Sequence, residues 1–203
     1  MKRVTLALTG ASGIQYGLRL LDCLVAQGCQ VDLLVSKAAH LVMATETPVR
    51  WPSDPERLNA QLAERYADQP GQVRAYGREN WFAPAASGSG AAASMVVCPC
   101  SGGTLSALAT GASNNLIERA GDVALKERRQ LILVLREMPL HQVHLEHMLK
   151  LTQMGAVIMP ASPGFYHDPQ TIDDLVDFVV ARVLDQLGLE QQLVARWGEE
   201  PAG

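Results

Sequence analysis

The sequence predicts one α/β domain: a doubly wound, mainly parallel six-stranded sheet with helices on both faces. Three observations carry that prediction. Short, continuous apolar runs alternate with longer stretches of helical periodicity, which is the pattern of buried parallel strands joined by helical crossovers. The chain has 203 residues, 48% of them hydrophobic and 19% charged, enough apolar surface for one sizeable core. Neither an internal repeat nor a linker interrupts it.

Each element follows from its own residues. Residues 4–8 (VTLAL) form a buried strand, stopped by Thr9 and Gly10, and a helix follows over about 17–27. Residues 30–35 are the second strand, with a helix over about 38–45 behind it. A polar, proline-punctuated excursion over 48–70 carries a helix at 55–67, and 73–76 is a weak third strand. Residues 94–98 are the fourth strand, ended by Pro99, with helical segments near 104–110 and 116–127. Residues 131–135 and 156–159 complete the sheet, each followed by a helix, over 141–154 and 171–187. Right-handed crossovers give this order a Rossmann-like layout. We place the domain at residues 1–188 and a short tail at 189–203, flanking or covering the site.

Composition narrows the function. The net charge is −4, which opposes a general nucleic-acid surface. The apolar run near the start has five residues, too few for a signal peptide, and no stretch reads as a membrane span. The four cysteines, Cys23, Cys29, Cys98 and Cys100, suit a reduced cytoplasmic protein.

In such sheets ligands sit at the carboxyl ends of the strands. Here those ends are Thr9-Gly10-Ala11-Ser12-Gly13, Ser36-Lys37, Ser101-Gly102-Gly103-Thr104, Arg136-Glu137 and Pro160-Ala161-Ser162-Pro163-Gly164-Phe165-Tyr166. Small, hydroxyl-bearing loops opening helices can cradle a phosphate or a flat ring. The first loop matches neither a dinucleotide fingerprint nor a Walker loop. Ser36 stands where a ribose-binding carboxylate belongs in an NAD site. Ser87-Gly88-Ser89-Gly90 adds another side-chain-poor segment. Arg119, Lys126, Arg136 and Arg182 lie near element ends in an acidic protein, placed to hold phosphate; Arg128 and Arg129 read as a solvated helix terminus. Glu46 and Glu137 are the candidate acid–base carboxylates, although a surface position at a helix end also explains Glu46. Cys98 and Cys100 read as buried strand thiols. His141, His144 and His147 drift around a helix without a further ligand, so we expect no metal.

Taken together, these loops resemble the UbiX-type flavin prenyltransferases. To the strings already given, the likeness adds Ala44-Thr45-Glu46, Cys98-Pro99-Cys100-Ser101, Ala112-Ser113-Asn114-Asn115-Leu116-Ile117-Glu118-Arg119 and Asp122-Val123-Ala124-Leu125-Lys126-Glu127-Arg128; it spans nearly the whole chain outside residues 48–80. The resemblance implies transfer of a dimethylallyl group from dimethylallyl monophosphate to N5 and C6 of reduced FMN, without metal. The product, prenylated FMN, would serve a UbiD-type decarboxylase. It further implies that Gly10, Ala11, Ser12, Ser36, Ser101, Gly102, Gly103, Thr104 and Arg136 hold FMN. Ser87, Gly88, Arg119, Lys126, Glu137, Tyr166, Arg182 and Trp197 would hold the prenyl phosphate. Ser12, Glu46, Lys126, Glu137 and Tyr166 would take part in catalysis, in sites shared between subunits of a homo-dodecamer.

Three positions depart from the family pattern: Ile14, Gly102 and Leu135. Two alternatives accompany this reading. A flavin-dependent cysteine decarboxylase of the same fold would use a histidine near His40. A non-catalytic flavin carrier would not need four convergent cations.

Overall fold

The computed structural model describes residues 1–195. Trp197, expected to cover the site, lies outside the described residues. The elements in chain order are β1 (Arg3–Leu8), α1 (Ile14–Ala26), β2 (Gln30–Val35), α2 (Lys37–Glu46), α3 (Pro55–Arg65), β3 (Val73–Tyr76), β4 (Ser94–Cys100), α4 (Gly102–Thr110), α5 (Leu116–Lys126), β5 (Gln130–Leu135), α6 (Gln142–Gln153), β6 (Val157–Pro160) and α7 (Ile172–Gln186). The six strands are ordered β3-β2-β1-β4-β5-β6 and every pairing is parallel. The chain therefore reverses its direction of winding between β1 and β4, and a crevice opens beyond their carboxyl ends.

Strand residues alternate between two cores, as the pleat requires. Leu6, Leu8, Leu33, Val96, Cys98, Ile132 and Val134 face the core covered by α1, α2, α3 and α7. Ala7, Leu34, Met95, Val97, Leu131, Leu133 and Leu135 face the core covered by α4, α5 and α6. Burial on both faces explains why the strands read as unbroken apolar runs.

Among the element ends that differ from expectation, three lie at the strand-end loops. Helix α1 begins at Ile14, not near Gly17. Its N-cap is Gly13, at φ 92°, and the Glu46 carboxylate accepts hydrogen bonds from the Gly13 and Ile14 N–H groups at 2.8 and 3.2 Å. The cap comes from a distant helix, so the local sequence does not announce it. Strand β4 passes through Pro99 to Cys100, with a register shift between Val97 and Cys100 that accommodates the missing donor. Helix α4 starts at Gly102, because Ser101 caps it by accepting from the Thr104 N–H at 3.2 Å. A 3-10 turn at Pro84–Ala86 was not expected.

Ile14 and Leu135 are both core residues, 0% and 4% exposed. Beyond α7, Leu189 and Leu193 pack against the first core, so residues 189–195 lie along the body. Among the described residues, no helix is long and apolar enough to cross a membrane.

Candidate functional site

Thr9 holds the crevice together. It is 1% exposed, its hydroxyl donates to the Pro99 carbonyl at 2.7 Å, and it accepts from the Ser101 N–H at 2.9 Å. One side chain thus joins the loop after β1 to the loop after β4. The Arg136 N–H donates to the Cys100 carbonyl at 3.1 Å and brings the end of β5 alongside. The structure accordingly collects residues 9–13, residues 101–104, Arg136 and Glu137 at one edge of the sheet.

This cradle is built on close backbone approach. A Cβ on Gly10 would lie 2.3 Å from the Ala38 Cβ, so Gly10 lets the first loop press on the first turn of α2. That turn is capped by Ser36, whose hydroxyl accepts from the Ala39 N–H at 3.0 Å. Ser12 and Gly103 are exposed, while Ala11 and Gly102 are buried. The Ser101 and Thr104 hydroxyls are 3.0 Å apart. A Cβ on Gly102 would lie 3.0 Å from the Glu137 Oε2 and 2.9 Å from the His144 Nε2. A larger residue there would therefore displace only the tips of flexible side chains.

Electrostatics favour an anion in this cradle. The start of α1 is already neutralised by Glu46, but the starts of α2 and α4 carry only hydroxyl caps. Arg136 is partly buried and its Nε is buried without a hydrogen-bond partner. A buried guanidinium donor left unmatched is costly, and a phosphate or carbonyl acceptor would satisfy it. The residues present thus fit a flat, phosphate-bearing ligand such as a flavin mononucleotide.

A second cluster surrounds the loop over residues 86–92. The Arg119 Nε donates to the Ala86 carbonyl at 3.1 Å, and its guanidinium pairs with Asp122 at 2.9 Å. Lys126 pairs with Glu127 at 2.5 Å, and its ammonium holds the Glu127 carboxyl below the usual carboxylate range. Gly88 faces that carboxylate closely; a Cβ there would meet Oε1 at 2.2 Å. The Ser87 and Ser89 hydroxyls are 3.2 Å apart. Sequence reasoning missed Arg129. Far from being a free solvated end, its guanidinium donates to the carbonyls of Gly88, Ala91 and Ala92 and fixes this loop. Arg128, at φ 54°, is exposed as expected.

A third cluster lines an open cleft of about 780 Å³. Tyr166 and Arg182 share it with residues from the tail, including Glu190, Val194 and Ala195. Tyr166 packs edge-on against Phe178 at 5.7 Å, and Arg182 pairs with Asp185 at 2.6 Å.

One protomer does not bring Lys126 to the cradle. Helix α5 ends at Lys126, just before β5 begins at Gln130, so Lys126 lies by the amino edge of the sheet. The cradle lies at the carboxyl edge, and a six-residue strand such as β5 spans about 20 Å.

The remaining candidates have local explanations. Burial pushes both strand thiols up, the Cys100 thiol to about 12. His141 and His144 form a reciprocal cap at the start of α6, with rings stacked at 3.6 Å. Among the described residues, no group of three His, Cys, Asp or Glu side chains could hold a metal. His40 lines a smaller cavity with Lys37, Leu58 and Tyr76, and burial lowers its pKa.

Comparison with known proteins agrees with this geometry. The flavoprotein family matches residues 1–184. The chain is 62% identical over 199 residues to the flavin prenyltransferase UbiX of Pseudomonas aeruginosa, covering 98% of this chain and 95% of that protein. It is similar to the crystal structure of AnUbiX (PadA1) in complex with FMN and dimethylallyl pyrophosphate, at TM-score 0.86 and 36% identity, covering 98% and 99% of the two chains. It is also similar to a dodecameric FMN-dependent UbiX-like decarboxylase from Escherichia coli O157:H7, at TM-score 0.85 and 38% identity, covering 97% and 100%.

Proposed function

The chain belongs to the flavoprotein family and, within it, to the UbiX flavin prenyltransferases, and we propose that it joins the dimethylallyl group of dimethylallyl monophosphate to N5 and C6 of reduced FMN. The observation that carries this reading is the Arg136 guanidinium, whose buried Nε lacks a partner beside two hydroxyl-bearing, glycine-rich loops. Gly10, Ala11, Ser12, Ser36, Ser101, Gly102, Gly103, Thr104 and Arg136 would hold FMN, the prenyl acceptor.

Cleavage of the allylic C–O bond leaves an allyl cation and a phosphate dianion. Lys126, Arg119, Arg182 and Tyr166, with Ser87 and Gly88, would bind the donor phosphate and stabilise the charge growing on it. Each of the three cations is held by a carboxylate on its own chain, Asp122, Glu127 or Asp185, which phosphate would displace. Holding both reactants side by side supplies much of the rate. Bond formation at N5 frees the proton there, the remaining alkene takes up a proton, and bond formation at C6 then expels one, which Glu137, beside Gly102 in the cradle, would accept. Ser12, and Glu46, which accepts from the N–H of the adjoining Gly13, would position the ring near N5.

Lys126 and the cradle lie at opposite sheet edges, so a second copy of the chain would have to bring Lys126 to the flavin. A homo-oligomer with shared sites, of the dodecameric kind, meets that need. The tail would flank the donor site, because its residues share the Tyr166–Arg182 cleft. The product would pass to a UbiD-type decarboxylase. Four free, buried cysteines suit the cytoplasm.

The test is anaerobic incubation of the protein with reduced FMN and dimethylallyl monophosphate, followed by mass and absorbance spectra of the flavin. Addition of one dimethylallyl group supports the reading; unchanged flavin refutes it. Glu137→Gln is expected to slow product formation at least tenfold while FMN binds as before.

A further inference from the structure

Gly102 leaves a gap that two side chains share. The point where its Cβ would stand lies 3.0 Å from the Glu137 Oε2 and 2.9 Å from the His144 Nε2. Nothing in the reaction outlined above uses His144, which the sequence offered only as one of three helical histidines.

The start of α6 determines what that imidazole can offer. His141 is the N-cap, and its backbone N–H donates to the His144 Nδ1 at 3.5 Å. In return the His144 N–H donates to the His141 Nδ1 at 3.4 Å, and the two rings stack with centroids 3.6 Å apart. A neutral imidazole whose Nδ1 accepts a hydrogen bond must carry its proton on Nε2. Nε2 is the nitrogen turned towards Gly102 and Glu137. The cap therefore fixes the tautomer, and the N–H donor it leaves, at Nε2, lies on the side of Gly102 where the Glu137 Oε2 also lies. Helix α6 is itself seated against α4, the helix that Gly102 opens.

We infer that His144 is a positioning residue: its Nε2–H orients the Glu137 carboxylate over the cradle. The glycine at 102 leaves this space open, which gives that departure from the family pattern a physical consequence. The inference rests on the proposed role of Glu137 as the group that accepts the proton from C6.

A double-mutant cycle on the full-length oligomer tests it. The variants are His144→Leu, His144→Gln, Glu137→Gln and His144→Leu combined with Glu137→Gln. kcat, the KM for dimethylallyl monophosphate and FMN affinity are measured anaerobically for each. His144→Leu should lower kcat about tenfold, because a displaced proton acceptor loses alignment, with KM and FMN affinity nearly unchanged. His144→Gln, whose amide can present an N–H, should recover most of that loss. With Glu137 already replaced, His144→Leu should cost nothing more. Equal losses in both backgrounds, no loss in either, or a folded Gln variant as slow as the Leu variant would each overturn the inference. If Glu137→Gln alone is fully active, the reading of Glu137 fails and this one with it, an outcome distinct from the others. Should His144→Leu fail to fold, the Gln variant decides: retained kcat supports the role and a matching loss refutes it.

Discussion

At the scale of single residues, Thr9 and His40 show how much one buried polar group can control. Thr9 uses its hydroxyl twice, as donor to Pro99 and acceptor from Ser101. Thr9→Val keeps the shape and removes both bonds, leaving the Ser101 N–H without this acceptor and the Pro99 carbonyl with only the bond from the residue 9 N–H. The expected cost is about 1–3 kcal/mol, seen as a fall in Tm of roughly 2–12 °C, with weaker FMN binding. His40 acts through protons instead. Burial holds its pKa below the ordinary histidine value, so the folded chain binds fewer protons than the unfolded one. Its contribution is intact above the unfolded value of about 6.5 and is lost as pH falls from there through the lowered folded value. His40→Gln should therefore flatten the decline of Tm between pH 7 and pH 5; an unchanged slope would show that other groups set it.

At the scale of elements, glycine has opposite meanings at two helix positions. A Cβ on Gly17 would lie 2.2 Å from the Cys98 carbonyl oxygen and 2.4 Å from the Leu8 Cδ2, so α1 rides directly on β1 and β4. Gly17→Ala should destabilise by about 1–3 kcal/mol despite the better helix propensity of alanine. Gly103 meets nothing nearer than the Ser101 Oγ at 4.0 Å. Gly103→Ala should leave Tm within about 1 °C of the parent or raise it, yet weaken FMN binding by taking up space in the cradle. Thermal melts and flavin titration of the two variants separate packing from ligand contact. The spacing Gly10-x-x-Gly13-x-x-x-Gly17 thus joins three separate demands: close loop approach at Gly10, a left-handed cap at Gly13 and helix–sheet contact at Gly17.

At the scale of the whole molecule, Lys126 and the cradle at the strand ends lie at opposite edges of the protomer's sheet. Lys126→Ala and Glu137→Gln chains should each be nearly inactive alone. Mixed by co-expression, they should regain a measurable fraction of wild-type turnover, because some shared sites then receive Lys126 from one chain and Glu137 from another. Absence of recovery in oligomers shown by native mass spectrometry to be mixed would rule out shared sites.

The six strands and their order of appearance were legible in the amino-acid sequence, because continuous apolar runs report local, short-range preferences, whereas the caps made by Ser36 and Ser101 emerged only from the structure. The position of the small, hydroxyl-bearing loops was legible in the same way as the strands, since they begin where the apolar strand runs stop. What required tertiary structure were the interactions between distant parts of the chain: Glu46 capping α1, Arg129 holding the loop over residues 86–92, Thr9 bridging β1 and β4, and His144 and Glu137 both approaching Gly102. Each joins residues whose proximity depends on how helices pack on the sheet. Periodicity records which side of an element is buried, but only the packed fold decides what it is buried against.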